Sequence, residues 1–314
     1  MRFSVIIPLF NKSSYVNKAL ESVLSQSFKE FELIVVDDGS TDDSYSMART
    51  ILEKGVVSYK LIHQENKGVS CARNNGVKLS CGEYLCFLDA DDWWSPTFLE
   101  KMDKLIHDYP EAGIYGTNYY YVKNGRKRVC VTTTQTGYIN YCRCYSEKLQ
   151  MPLWTGAISV SRVVFDEMGG FRPHLRLGED FDLWIKIALK YKVAFLDDPL
   201  SYYYQDSNAS WRLTGRLHPP ESHMLWNLEY LAEEEETNKD YKQLIDNLRT
   251  YSLFPYYLSR RYRGSAKKEL AKVDWDQQPE RVRRLYLMPL PLLQFRRIIL
   301  QYGSKIKRLI VRYL

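Results

Sequence analysis

No apolar run in the 314-residue chain approaches the roughly 18 residues that a membrane-crossing helix requires. No G-x-G-x-x-G follows the first apolar run, which argues against a dinucleotide oxidoreductase. There is also no G-x-x-x-x-G-K-[ST], which excludes a P-loop enzyme. Four of the six cysteines lack the spacing of a disulfide framework, and the other two, Cys142 and Cys144, have no second pair to complete a zinc site. The start lacks a basic-then-apolar leader, so the expectation is a reduced, cytoplasmic chain. From Arg281 onward there is no acid, while Arg281, Arg283, Arg284, Arg296, Arg297, Lys305, Lys307, Arg308 and Arg312 are all basic. Such a tail suits an anionic surface; no nucleic-acid motif accompanies it, and no nucleic-acid partner is expected.

A hydrophobic content of 45% supports a substantial core, and the net charge of +6 is modest for this length. The chain is organised around 83–94, Glu-Tyr-Leu-Cys-Phe-Leu-Asp-Ala-Asp-Asp-Trp-Trp. Its apolar start reads as a buried strand and runs directly into Asp89, Asp91 and Asp92. Carboxylates crowded at a strand end repel one another and call for a compensating charge, commonly a divalent cation on oxygen ligands. The bland alternative is an acidic turn before a helix capped by Ser95 with Pro96 at its first position.

Three more strands precede this one: 2–9, 31–36 and 56–62. Helices are expected between them, one capped by Ser13 or Ser14, one at 43–54 and one at 69–79, with another at 96–107 after the acids. Alternating strands and helices predict an α/β fold with a parallel sheet covered on both faces, whose ligands bind beyond the carboxyl ends of the strands. Asn11, Asp37, Asp38, Asn66, Lys67, Asp89 and Asp91 fall in those loops. Beyond them, 119–121 and 129–134 read as strands joined by a basic turn at 123–128. The expected domains are 1–212, divided into a nucleotide-binding half at 1–112 and an acceptor and catalytic half at 113–212, followed by a helical, basic extension at 213–314.

Four ordered stretches carry a family resemblance: Val-Ile-Ile-Pro-Leu-Phe-Asn at 5–11, Val-Val-Asp-Asp-Gly-Ser-Thr-Asp at 35–42, Asn-Lys-Gly-Val-Ser-Cys-Ala-Arg-Asn-Asn-Gly at 66–76, and Leu-Asp-Ala-Asp-Asp at 88–92. A fifth follows, Gly169-Gly170-Phe171 and then Gly-Glu-Asp-Phe-Asp-Leu-Trp at 178–184. Together they resemble the family 2 glycosyltransferases, inverting enzymes of GT-A fold, over about 1–211. The resemblance implies transfer of a sugar from a nucleotide diphosphate sugar, taken as a UDP-sugar, to a hydroxyl of a glycan or lipid-linked acceptor in cell-surface polysaccharide synthesis. It implies Mn²⁺ or Mg²⁺ on Asp91 and Asp89 of a D-x-D motif with Ala90 between them. Pro8, Phe10, Asn11, Asp37, Asp38, Lys67 and Arg73 would contact the nucleotide. Asp180 would be the base, Glu179 its partner, and Trp154 a platform for the acceptor. A helix-start acid pair and a core tryptophan are the plainer readings of those last residues.

One departure stands out. Relatives carry a basic residue and a histidine in a tyrosine-rich loop, whereas 202–211 has neither, leaving Gln205 or Asp206 as oxygen-bearing substitutes. The sequence 295–314 alternates apolar and basic residues, as an interfacial helix on an anionic membrane does; a helix packed on its own domain or on a second copy has the same pattern. A nucleotidyltransferase on a similar sheet and a non-catalytic sugar-binding relative are the alternatives.

Overall fold

The computed structural model describes residues 1–55, 57–205 and 217–293. The chain divides into two compact units, Met1–Met224 and Leu225–Leu314. The first therefore runs past the boundary expected at 212.

In chain order the first unit contains β1 (Phe3–Leu9), α1 (Val16–Leu24), β2 (Phe31–Asp37), α2 (Ser44–Leu52), β3 (Tyr59–His63), α3 (Val69–Lys78), β4 (Tyr84–Phe87), β5 (Trp93–Trp94) and α4 (Phe98–Asp108). There follow β6 (Ala112–Lys123), β7 (Arg126–Val129), β8 (Gly137–Ile139), α5 (Tyr141–Lys148), β9 (Ile158–Ser161), α6 (Arg162–Glu167), α7 (Glu179–Lys190) and β10 (Lys192–Tyr204). Among the described residues these strands form one ten-stranded sheet with the path β3-β2-β1-β4-β9-β6-β10-β5; β7 pairs with β6 and β8 with β10.

The sheet is mixed. Strands β1 to β4 are parallel, as the alternating pattern predicts, but β9 enters antiparallel between β4 and β6. β1 and β2 are buried almost throughout, because both faces are covered. α1 buries Val16, Ala19, Leu20 and Val23, and α4 buries Phe98, Leu99, Met102, Leu105 and Ile106, each the stripe of an amphipathic helix. At Gly82 the backbone passes so close to β1 that a Cβ would lie 2.6 Å from the carbonyl carbon of Phe3 and the nitrogen of Ser4.

Several local expectations shift. α1 begins after Tyr15 with no side-chain cap, because the cap position falls on Tyr15, one to two residues beyond the two serines; the Ser13 N–H donates to Asp42. β3 starts at Tyr59, and Val56 lies outside the described residues. Ser95 does not cap α4: its N–H bonds to Leu200 O, Trp93–Trp94 pair antiparallel with Ser201 and Tyr202, and the helix starts at Phe98. The basic segment expected as a turn is itself strand β7. The reversal is confined to Asn124-Gly125, whose φ values of 50° and 71° match a two-residue hairpin turn.

The second unit contains α8 (Ala232–Thr237), α9 (Lys239–Ser252), α10 (Phe254–Leu258), α11 (Arg263–Leu270) and α12 (Glu280–Leu287). Its core buries Tyr241, Leu244, Ile245, Tyr256 and Ala266 around an ionic centre, Arg249, which is 1% exposed and pairs with Glu235, Asp246 and Glu269. The tail at 295–314, expected as an interfacial helix, lies outside the described residues. Among the described residues no helix is long and apolar enough to cross a membrane.

Candidate active site

The carboxyl ends of β1, β2, β3 and β4 lie on one edge of the sheet, and the loops leaving them are tied together by polar side chains. Asn11, at φ 50°, accepts the Thr41 N–H on Oδ1 at 2.8 Å, while its own N–H donates to Ser40 Oγ at 3.0 Å. This joins the loops after β1 and β2. Asp37 is fully buried; its Oδ2 lies 2.6 Å from His63 Nδ1 at the end of β3, and its Oδ1 has no hydrogen-bond partner among the described residues. Asp38 accepts Gln64 Nε2 at 2.7 Å, the Lys67 N–H at 2.9 Å and the Gly68 N–H at 2.8 Å. A carboxylate accepts about four such bonds, so Asp38 mainly shapes the 64–68 loop and keeps about one direction for a ligand. Lys67 meets Asp38 through its backbone, and its side chain is exposed. Pro8 and Phe10 are half-buried beside these loops.

The acidic segment after β4 is held from both sides. Lys12, directly after Asn11, ion-pairs with Asp91, and Arg73 on α3 donates to Asp89 Oδ1 at 2.7 Å. Ala90 is buried between them. Asp92 is 1% exposed: its Oδ1 accepts the Tyr204 N–H at 2.8 Å, and its Oδ2 has no hydrogen-bond partner among the described residues. Burial first, then repulsion from Asp91 and Asp89, drives the Asp92 carboxyl well above its ordinary range.

Arg73 also donates to Glu179 Oε1 at 3.1 Å, so one guanidinium bridges the acidic segment and the start of α7. It is 3% exposed. Burial opposes its charge, but Asp89, Glu179 and Asp180 outweigh burial and hold its pKa above the ordinary value. Arg73, a nucleotide contact by resemblance, is here the link between two acidic centres. Glu179 is pushed up to about 7, by burial and then by repulsion from Asp180, with Arg73 pulling the other way. Asp180 Oδ2 accepts the Thr155 hydroxyl at 2.8 Å, and its Oδ1 accepts the Phe181 N–H at 2.8 Å. Asp182 is removed from the chemistry, since Arg172 binds it through two nitrogens inside the fold.

Trp154 is half-buried, 4.1 Å from the Tyr203 ring and 5.8 Å from that of Tyr119, with its Nε1 lacking a partner among the described residues. Its neighbour Thr155 reaches Asp180, and Trp94 Nε1 donates to Gly156 O at 2.7 Å. The 154–157 segment thus lies against both acidic centres. Gln205 donates its N–H to Val122 O and continues the strand ladder; Asp206 lies outside the described residues.

Lys12 and Thr155 join the site without having been expected there, while Asp92, expected among the crowded carboxylates, had been given no separate role. The signal for Lys12 was present: a lone cation directly after a strand whose neighbours end in acids. Nothing local marks Thr155. A divalent cation fits the donor set: Asp89 is 30% and Asp91 16% exposed, both are hard oxygen donors, and each has one cation beside it. Among the described residues no three His, Cys, Asp or Glu side chains converge as a metal cage. Two carboxylates with substrate phosphates and water completing the shell is the arrangement typical of Mg²⁺.

A mixed sheet with a D-x-D segment at its carboxyl edge and an acid pair opening α7 defines a GT-A type fold. The family model for "Glycosyl transferase family 2" matches residues 4–168, and the chain belongs to that family. An uncharacterized glycosyltransferase of Rickettsia felis is 31% identical over 201 residues, 64% of this chain and 32% of that protein. Glycosyltransferase GlyA of Streptococcus pneumoniae is 37% identical over 121 residues, 38% of this chain and 17% of that protein. The chain thus spans about a third or less of these curated relatives. Among solved structures, S. aureus TarS 1–349 in complex with UDP-GlcNAc aligns with a TM-score of 0.73 at 22% identity, covering 95% of this chain and 88% of that one. The mannosyltransferase PcManGT of Pyrobaculum calidifontis, in complex with GDP-Man and Mn²⁺, aligns with a TM-score of 0.53 at 19% identity, covering 88% of each chain. These likenesses show the fold.

Proposed function

We propose that the protein transfers a hexosyl or N-acetylhexosaminyl group from a nucleoside diphosphate sugar, with UDP as the carrier, to a hydroxyl of a glycan or lipid-linked acceptor, with inversion. The observation that carries the reading is the Asp89–Arg73–Glu179 bridge, which fixes the D-x-D segment against the acid pair of α7. Inversion needs a base on the face opposite the leaving group, at a set distance from the diphosphate site. Asp180 is that base. Thr155 and the Phe181 N–H hold its carboxylate in one orientation. Glu179, poised near neutral pH, tunes the local charge and anchors Arg73. The loops around Asn11, Asp37 and Asp38 form the nucleotide wall. Bound at Asp91 and Asp89, Mn²⁺ or Mg²⁺ would stabilise the charge growing on the departing diphosphate. Membrane contact through 295–314 and a role in cell-surface polysaccharide synthesis in the cytoplasm are part of the same reading and rest on the sequence.

The test is a thermal-shift panel of UDP, GDP, CDP and TDP with and without Mn²⁺, followed by product analysis with the nucleotide sugar. A folded-state ligand at a hundredfold excess over its Kd adds about 2.7 kcal/mol. The expected result is a metal-dependent shift for one nucleotide, lost in Asp91→Asn, with release of nucleoside diphosphate. Release of pyrophosphate, or no shift with any nucleotide, overturns the reading.

A further inference from the structure

β9 runs antiparallel to both β4 and β6, so β4 and β6 point the same way, and β10 is parallel to β6. The carboxyl ends of β6 and β10 therefore share the edge that carries the acidic segment. On that edge stands a row of aromatic rings. Tyr120 stacks on Tyr202 at 5.1 Å and 26°, and Tyr202 on Trp93 at 5.2 Å and 11°. Lys127 lies over two of these rings, 4.6 Å from the Tyr120 centroid and 5.8 Å from that of Tyr202, and Lys18 lies over the third, 3.1 Å from the Trp93 centroid. Trp93 is two residues beyond Asp91, so the row leads directly to the proposed donor site.

The hairpin beside the row is strongly basic. All four residues of β7 are exposed, and Lys123, Arg126, Lys127 and Arg128 have no carboxylate partner among the described residues. Three other surface lysines are paired, Lys104 with Asp108, Lys190 with Glu167 and Lys192 with Glu111, whereas here four unpaired cations stand together on one hairpin. An uncompensated cluster on one edge hairpin is complementary to an anion-rich partner. The ring row narrows the choice. The Tyr120 and Tyr202 hydroxyls make no hydrogen bond among the described residues and are free to meet sugar hydroxyls.

We propose that the 123–129 hairpin and the Trp93–Tyr202–Tyr120 row bind an anionic glycan, the cations taking its acidic groups and the phenols its hydroxyls. This deepens the glycosyltransfer reading, on which it rests, by naming the class of acceptor. The arginine forks suit carboxylate or phosphate groups carried along such a chain.

The experiment measures binding of the full chain to polygalacturonate and to its neutral methyl ester across a salt series. It compares the unaltered protein with R126E/K127E/R128E and with the milder R126Q/K127Q/R128Q. Phosphatidylglycerol vesicles and a single-stranded homopolynucleotide serve as competing anions. The expected result is salt-sensitive binding of polygalacturonate and weak binding of the ester. Affinity should fall about tenfold in both variants, the loss of three contacts of surface ion-pair strength. Both variants should keep the nucleotide-dependent thermal shift, which reports separately on the donor site. Equal binding of ester and acid, or variants that bind like the unaltered protein, overturns the proposal. So does hairpin-dependent binding to vesicles or polynucleotide without binding to polygalacturonate. Absence of the nucleotide shift in the unaltered protein refutes the transferase reading instead.

Discussion

Replacing Glu179 with glutamine should change how stability depends on pH. The glutamate moves from its ordinary 4.5 to about 7 in the folded protein, mainly through burial. The folded state therefore holds a proton that the unfolded chain has released, throughout the window from about 4.5 to 7. Stability from this group is present below that window and is lost as pH rises through it. Each tenfold change in proton affinity is worth about 1.36 kcal/mol, so the whole rise corresponds to about 3 kcal/mol, most of it lost between pH 5 and 8. Its 12% exposure keeps solvent screening small. Glu179→Gln removes the titration and retains a hydrogen-bonding oxygen for Arg73. Urea unfolding at pH 5, 6, 7 and 8 should show the parent losing about 2–3 kcal/mol more than the variant across that range. The contribution of buried Asp92 is common to both proteins and cancels in the difference. Parallel profiles would refute the argument, because they would mean that Glu179 ionises in the folded state as it does in water.

Two further outcomes follow from contacts outside the acidic segment. Thr155→Val removes the hydroxyl that holds Asp180; kcat should fall about tenfold, a loss of about 1.4 kcal/mol in barrier terms, while the nucleotide-induced thermal shift stays unchanged. An equal drop in nucleotide binding would show that Thr155 serves the donor site instead. In the second unit, Arg249→Ala leaves Glu235, Asp246 and Glu269 facing one another without their buried cation, and should cost about 3–5 kcal/mol. Hydrogen exchange of the α9 amides reports it, and unchanged protection would show that the ionic centre adds nothing to that unit.

The parallel half of the fold was legible because β1 and β2 are mostly apolar runs with polar ends, β1 stopping before Asn11-Lys12 and β2 at Asp37-Asp38-Gly39, a pattern local to each strand. The acid loops of the site were legible for the same reason. The antiparallel half was not. β5 is two residues long, and its pairing with β10 depends on residues more than a hundred positions away. β7 has no apolar alternation to reveal it, being charged along most of an exposed edge. Lys12 and Asp91 are 79 positions apart, and Thr155 and Asp180 are 25, so each pair meets only once the order of the sheet is known. Arg73 was placed near the nucleotide by its position in a motif; its burial between two acids is a property of how α3 docks, through Asn74 and the backbone of Phe171, onto the turn before α7.

The pinning of the acidic segment has a consequence beyond catalysis. β4 fixes Asp89 from one side, while the Trp93–Trp94 pairing and the Tyr204–Asp92 hydrogen bond fix the other. The carboxylates cannot relax apart, so their mutual repulsion is offset in place, by Lys12 on Asp91, by Arg73 on Asp89 and by the raised proton affinity of buried Asp92. On the proposed function, a cation or cation-bound donor that entered only the folded form would add to that offset, and the loaded protein would resist unfolding more. Occupancy would then set lifetime: with the proposed donor scarce, a larger fraction of chains would open to proteases, and the amount of protein would follow the supply of its substrate.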